Sequence, residues 1–402
     1  MMSSGKKLVR TEHHPFKTCD NPLCPLCTKS IARFKVKDGF KAEFFGEAPA
    51  PFVGHVGYPN LNVGVLSVSG ADNAWLYDAP GEWSARDFQL PQIVDYRSAL
   101  VNSRFKANIR QADKLVSISQ EVGMASMPAE VEIVLKEKPR FRLNVDAFSA
   151  PSGPSAALKK AEITSNPKIH QKVDKVFSDT DMKARDALVY LHKHDFDENF
   201  LTRMLSVGTM GVKANRKLVP TRWSITAVDD ALGKNLIEGI KKHAGSGYAA
   251  FFGGYLGNYF LVMLFPGVWG YELFESSLGK DYTTDYEGYD GRKDYAFNCA
   301  GGYYASRLAV LEKLSEMKKQ ASVLVLRFIT PEYSVPLGVW VVREAVRRAL
   351  KSKPIIFYSK ELMLKYAAVL ARRKFGFDAG ILVGGSKILK SMRLQTGLAR
   401  FL

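Results

Sequence analysis

Residues 248–271, "YAAFFGGYLGNYFLVMLFPGVWGY", contain no charged side chain over a length that could cross a bilayer. Whether they form one membrane helix or two buried strands decides the fold. The glycine pair 253–254 and Pro266 argue against a spanning helix. The stretch "AAFFGGYLGNYFLVMLF" is better satisfied as two buried strands joined near "LGNY", where Gly257 and Asn258 are residue types that tolerate turn geometry. No membrane partner is expected.

Around this hairpin the chain mixes helical and extended patterns. Two long helical stretches, "ASRLAVLEKLSEMKKQ" and "GVWVVREAVRRALKSKP", flank an apolar strand, "ASVLVLRFI". Upstream, "DMKARDALVYLHKHDF" and "FLTRMLSVG" have helical spacing, and "RWSITAV" has the β-branched character of a strand. Nearer the start, "GHVGYPNLNVGVLSVSG" alternates Val and Leu between Gly and Pro turns. "PQIVDYRSALVNSRFKANIRQADKLVSISQ" has apolar residues at spacings of three and four and is predicted helical, with Lys106, Arg110 and Lys114 four apart in a basic stripe. "VEIVLKEKPRFRLNVDAF" follows as a strand pair. The expected class is α/β or α+β, a mixed sheet with flanking helices, with a small zinc knuckle near the start and a flexible tail at the end. The expected divisions are a knuckle at 1–30, an α+β domain at 31–150, a linker at 151–168 ("SAPSGPSAALKKAEITSNP"), an α/β domain at 169–390 and a tail at 391–402.

Composition narrows the function. The 402 residues are enough for a substantial core, and 46% apolar with 24% charged is ordinary for a globular protein. The balance of 57 Lys and Arg against 40 Asp and Glu is not, and the resulting +17 points to a polyanion, nucleic acid ahead of an acidic membrane or a phosphorylated ligand. The start, "MMSSGKKLVRTEHHPF", has no apolar stretch of a signal peptide, so a reducing, cytoplasmic location is expected and disulfides are not.

Three of the four cysteines fall in "CDNPLCPLC". Cys19, Cys24 and Cys27 have spacing that lets thiolates converge on one tetrahedral zinc, with His14 the favoured fourth ligand and His13 or Cys299 the alternatives. In "VVREAVRRALK", Arg343, Arg347 and Lys351 share a face opposite Val342, Val346 and Leu350. A solvated face and a phosphate-backbone contact are both open there.

Catalytic candidates are sparse. Asp229 and Asp230 follow the apparent strand "RWSITAV", a place where metal-binding or general-base carboxylates can sit, or where a helix can be capped. His55, between glycines, and Arg222 complete the candidate set with Asp229. Glu287, Asp290 and Asp294 lack calcium-loop spacing, and "GSKILK" is too short for a phosphate loop. Gly301 and Gly302 could open a helix able to take an anion, or a plain tight turn.

The final residues, "RLQTGLARFL", place Gln395, Leu398, Phe401 and Leu402 so that one short helical turn gathers them on one side. So short a helix needs a partner to form on. The spacing resembles the peptide by which replication and repair proteins hold the sliding clamp PCNA, with Leu402 where a second aromatic usually stands. The chain as a whole resembles the archaeal Nre DNA repair proteins, through "GHVGYPNLNVG", "IVDYRSALV", "RKLVPTRWSITAVDD", "AGGYYASRLAVLE" and "PLGVWVVREAVRRA". That resemblance implies a role in DNA damage repair, an N-terminal four-cysteine zinc finger and a clamp-binding end. Here only Cys19 and Cys24 look like the family's second cysteine pair, with Cys27 and a histidine as possible substitutes. The resemblance implies no reaction. A clamp-tethered enzyme, a DNA-binding adaptor and a nucleotide- or RNA-binding protein all stay open.

Overall fold

The structure, a computed structural model, describes residues 21, 23–141, 149–279 and 281–398, with the side chains of 394–398 left aside. The first helix, α1 (Pro25–Val36), precedes two long strands, β1 (Glu43–Val53) and β2 (Asn60–Val68). Two helices, α2 (Pro80–Ala85) and α3 (Leu90–Ala99), lead to β3 (Val101–Asn108), α4 (Lys114–Met124), β4 (Ala129–Leu135) and β5 (Ser155–Ile163). Thus the stretch expected to be one helix is α3, β3 and α4. Val101, Ser103 and Ala107 of β3 are buried and alternate with less buried neighbours, a period of two hidden between two helical patterns. Lys106, Arg110 and Lys114 therefore sit on a strand, in a turn and at a helix start, and form no helical stripe.

The five strands close into a barrel in the order β1, β2, β3, β5, β4, and β4 pairs back onto β1. All ladders are antiparallel except β3 with β5. The predicted linker is a correction: Ser155–Ile163 within it is β5, the strand that completes the barrel. Small residues and serine gave it the look of a linker, yet Ala156, Leu158 and Ala161 point into the barrel core.

A helical layer follows: α5 (Gln171–Ser178), α6 (Ala184–His192), α7 (Glu198–Ser206) and the 20-residue α8 (Thr221–Ile240). Here too the expectation is overturned, because "RWSITAV" is the first two turns of α8. Its β-branched residues favour strands, but Ser224, Val228 and Leu232 recur every four residues on the buried face, and packing outweighs propensity.

The second sheet contains β6 (Tyr248–Tyr255), β7 (Asn258–Phe265), β8 (Gly270–Ser276) and β9 (Tyr282–Glu287). After α9 (Ala300–Glu316) come β10 (Ser322–Ile329), α10 (Trp340–Lys351) and β11 (Ile355–Phe357). Last are α11 (Lys360–Phe375), α12 (Gly380–Gly385) and α13 (Lys387–Leu398). The strand order is β11, β6, β7, β10, β8, β9, with β8 and β10 parallel. One face packs on α8, α9 and α10, the other on α11, α12 and α13. The apolar stretch 248–265 is indeed the buried hairpin β6–β7, covered on both faces. Leu256 and Gly257, both at positive φ, make its two-residue turn, and a Cβ on Gly257 would come within 2.5 Å of the Tyr333 amide nitrogen. Among the described residues no helix is long and apolar enough to cross a membrane.

Candidate nucleic-acid interface

Asp229 and Asp230 are neighbours on α8, about 100° apart around the helix. Each takes an arginine from a different helix. Asp229 accepts from Arg343 of α10 at 2.5 Å, and Asp230 from Arg307 of α9 at 2.7 Å. Arg307 also donates to Glu287 at 2.7 Å, with both side chains of that pair wholly buried. The two aspartates latch α8 to α9 and α10. Asp229 is fully buried, and burial pushes its carboxyl up to about 6 despite Arg343. Its Oδ2 has no hydrogen-bond partner among the described residues.

The basic face expected on α10 is mostly spent on the same device. Arg347 donates to Glu198 at 2.5 Å, to Glu312 at 2.6 Å and to Glu344 at 2.8 Å. Burial pushes Glu198 up, but Arg347 and Arg343 together hold it well below the ordinary carboxylate range. Arg343 and Arg347 are thus interior cations, and only Lys351 of the three is exposed. His192, Glu198 and Glu312 lie close enough to share a metal ion, but Arg347 already occupies both carboxylates, so a cation there would meet a guanidinium.

Two other candidate sites are likewise filled by the protein's own groups. Asp285 accepts from the amides of Asn298 and Cys299 at the start of α9, and a Cβ at Gly302 would come within 2.7 Å of Glu275 Oε1. An anion has no room at that helix end. Cys299 is buried beside the Leu273 carbonyl and the Thr283 hydroxyl, and burial pushes its thiol far up.

The remaining candidates meet at one end of the barrel. Thr221, at the head of α8, accepts a hydrogen bond through Oγ1 from the Val53 amide at 3.0 Å, which seats α8 against the end of β1. The β1–β2 loop, 54–59, packs beside it, and Tyr58 meets Trp223 with ring centroids 5.4 Å apart. His55 lies in this loop and Arg222 precedes Trp223 on α8, so both stand at this end of the barrel. Asp229 stands seven residues farther along α8, about 10 Å away, and buried.

Strand β3 supplies the cations. Register places Asn62 opposite Lys106, Asn60 opposite Asn108 and Gly64 opposite Arg104 on the outer face of β2–β3. Asn108 and Asn60 join by their side-chain amides at 3.0 Å. The Ile109 amide donates to Pro59, and Arg110 donates to the Ala214 carbonyl. Phe52 of β1 pairs with Gly64 on the same outer face. Lys106, Arg110 and Arg222 are all exposed and form no ion pair among the described residues. Lys114, by contrast, pairs with Glu162 at 3.1 Å.

Sequence reasoning found the cations here and missed the rings. Phe52, Tyr58 and Trp223 are 36%, 45% and 47% exposed. Their signal was local: aromatic residues beside the glycines and proline of "FVGHVGYP", and the basic-aromatic pair "RW". Trp340 and Tyr333 pack as interior groups: Trp340 meets Trp83 edge-on at 5.3 Å, and the Tyr333 hydroxyl accepts from the Leu337 amide.

For zinc, Cys24 stands at the N-cap of α1 and Cys27 one turn on, a helix end that favours thiolates. Cys19 and His14 lie outside the described residues. These two cysteines would suit half of a tetrahedral site. For the clamp peptide, the backbone of Gln395 and Leu398 belongs to α13, so the first two thirds of the expected flexible tail are helical. Phe401 and Leu402 lie outside the described residues. Glu272, fully buried in β8, accepts from the Ser386 hydroxyl at 2.6 Å and from the amides of Lys387 at 3.0 Å and Ile388 at 3.2 Å, anchoring the start of α13.

Residues 18–281 match the model for the N-terminal part of archaeal Nre, and residues 287–401 that for its C-terminal part. A DNA repair protein NreA of Haloferax volcanii is 37% identical over 77% of this chain and 78% of its own. One of the same name from Archaeoglobus fulgidus is 38% identical over 85% and 88%. A DNA repair protein NreB of Archaeoglobus fulgidus is 33% identical over 94% and 96%. No solved structure matches.

Proposed function

Since this chain belongs to the archaeal Nre family, we propose that it is a DNA repair protein that grips DNA with the basic end of its barrel. The observation that carries this is the convergence of Lys106, Arg110 and Arg222, exposed and without ion-pair partners among the described residues, around the β1–β2 loop. The buried arginines Arg307, Arg343 and Arg347 are spent on carboxylates, whereas these three keep their charge at the surface, beside a loop and a helix start where phosphates can reach them. The role is one of binding. Asp229, the carboxylate candidate for catalysis, is buried on Arg343 and out of reach of a substrate.

The test is fluorescence anisotropy with labelled DNA at several salt concentrations. Each phosphate contact contributes roughly 0.7–0.9 to the slope of log affinity against log salt, so replacing Lys106, Arg110 and Arg222 by alanine lowers it by about 2–3. An unchanged slope overturns the assignment.

Recruitment by PCNA is the second part of the reading. It is supported by the spacing of Gln395, Leu398, Phe401 and Leu402, and by Glu272, which fixes the helix leading to them. Calorimetry with the clamp should give binding by the full chain and none by a chain ending at Leu394. Equal binding, or none by either, overturns it. Zinc held by Cys19, Cys24, Cys27 and His14 is the third part. Elemental analysis of the purified chain should find about one zinc per chain, and Cys24→Ser should remove it.

A further inference from the structure

The barrel order β1, β2, β3, β5, β4, the parallel β3–β5 ladder and the helix α4 between β3 and β4 define a five-stranded Greek-key barrel of the oligonucleotide-binding type. In that architecture the outer face of strands two and three, with the loop between strands one and two, is where a polymer lies. A topology alone carries no function, so the side chains on that face must decide.

They have the chemistry of unpaired nucleotides. Phe52, Tyr58 and Trp223 expose aromatic surface around the β1–β2 loop, next to Lys106 and to the side-chain amides of Asn60 and Asn62. What sets this face apart is the company these rings keep: partly exposed aromatic surface lies beside exposed cations that form no ion pair among the described residues. Duplex DNA hides its base faces inside the stack and offers a protein only groove edges and phosphates. Single strands offer base faces, which stack on aromatic rings whatever the sequence.

We propose that this face binds single-stranded DNA, with bases stacked on Tyr58, Trp223 and Phe52 and the backbone tracked by Lys106 and Arg222. This rests on the reading of the barrel end as the DNA surface and names its substrate class. The β1–β2 loop supplies one stacking ring and the head of α8 a second. The seating of Thr221 on the Val53 amide holds the two at fixed spacing. The α8 N-terminus adds partial positive charge beside Arg222.

The experiment uses the full chain, a fluorescein-labelled oligothymidylate of about 15 nucleotides, a duplex of equal length and an oligouridylate. Trp223→Ala and Tyr58→Ala should each weaken oligothymidylate binding about 5- to 150-fold while duplex binding changes less than about twofold. Trp223→Phe should retain most of it, which separates stacking from a folding defect. If both alanine variants bind oligothymidylate like the wild type while Lys106→Glu and Arg222→Glu lose it, the face holds only phosphates. The single-strand inference then falls and the DNA surface stands. If the charge reversals also bind normally, both fall. Tighter binding of oligouridylate than of oligothymidylate overturns the assignment to DNA.

Discussion

Replacing Asp229 by alanine separates a structural latch from a catalytic carboxylate. The substitution leaves the Arg343 guanidinium, whose side chain is 7% exposed, without its 2.5 Å partner in a place water does not reach. Removing one member of a buried pair costs about 3–5 kcal/mol. Glu198 lies 3.9 Å from Arg343 and takes up part of the stranded charge, so the low end, about 3 kcal/mol, applies. With about 2.1 cal/mol/K of unfolding entropy per residue, a chain of 402 residues shifts by roughly 1 °C per kcal/mol, so the melting midpoint falls by about 3–4 °C. Circular dichroism melts and urea titrations read this directly. The double variant Asp229→Leu with Arg343→Met removes both charges at similar volume and should return to within about 1–2 kcal/mol of wild type, with DNA binding intact. A stable Asp229→Ala variant that has lost a chemical activity on DNA would refute the latch, and so would a double variant as unstable as the sum of the singles.

Other perturbations report on separate parts of the molecule. The folded Asp229 carboxyl sits at about 6, above its ordinary value of 3.8, so the folded state holds that proton more tightly. The stability this confers is full below pH about 4 and lost as pH rises through 6, so the advantage of wild type over Asp229→Asn should grow by up to about 3 kcal/mol between pH 7.5 and 4; a constant difference in urea titrations contradicts it. Glu272→Gln weakens the anchor of α13, with an expected loss of about 1–2 kcal/mol and faster amide exchange confined to α13 and its neighbours. Unchanged exchange there would count against the anchor. Gly257→Ala places a methyl group against the Tyr333 amide at positive φ and should cost about 1–3 kcal/mol in thermal unfolding.

The buried hairpin could be read from sequence because its signal is local: uncharged, aromatic and aliphatic runs around a turn. The barrel could not. Its closing strand, β5, reads "SAALKKAEI", with adjacent lysines that break the alternation, and only pairing with β3 and β4 makes it a strand. The start of α8 failed for the opposite reason, since β-branched residues favour a strand until Val228 and Leu232 pack against α6 and α7. The two aspartates were visible but their partners were not. Asp229 and Arg343 are 114 positions apart, and nothing in either neighbourhood marks the other. The basic stripe on α10 shows the same limit: spacing reveals a shared face, and only the fold reveals whether carboxylates meet it. At the barrel end the cations could be counted in the sequence, whereas the grouping of Tyr58 with Trp223 depends on a loop and a helix brought together by the Thr221 contact.

Where DNA touches the protein is measured most directly by photo-crosslinking bromodeoxyuridine-substituted single strands to the full chain, followed by mass spectrometry of the linked peptides. Adducts are expected in the β1–β2 loop and at the head of α8, on Tyr58 and Trp223 above all. Adducts confined to α10, α11 or the second sheet, with the barrel end unlabelled, would contradict this expectation.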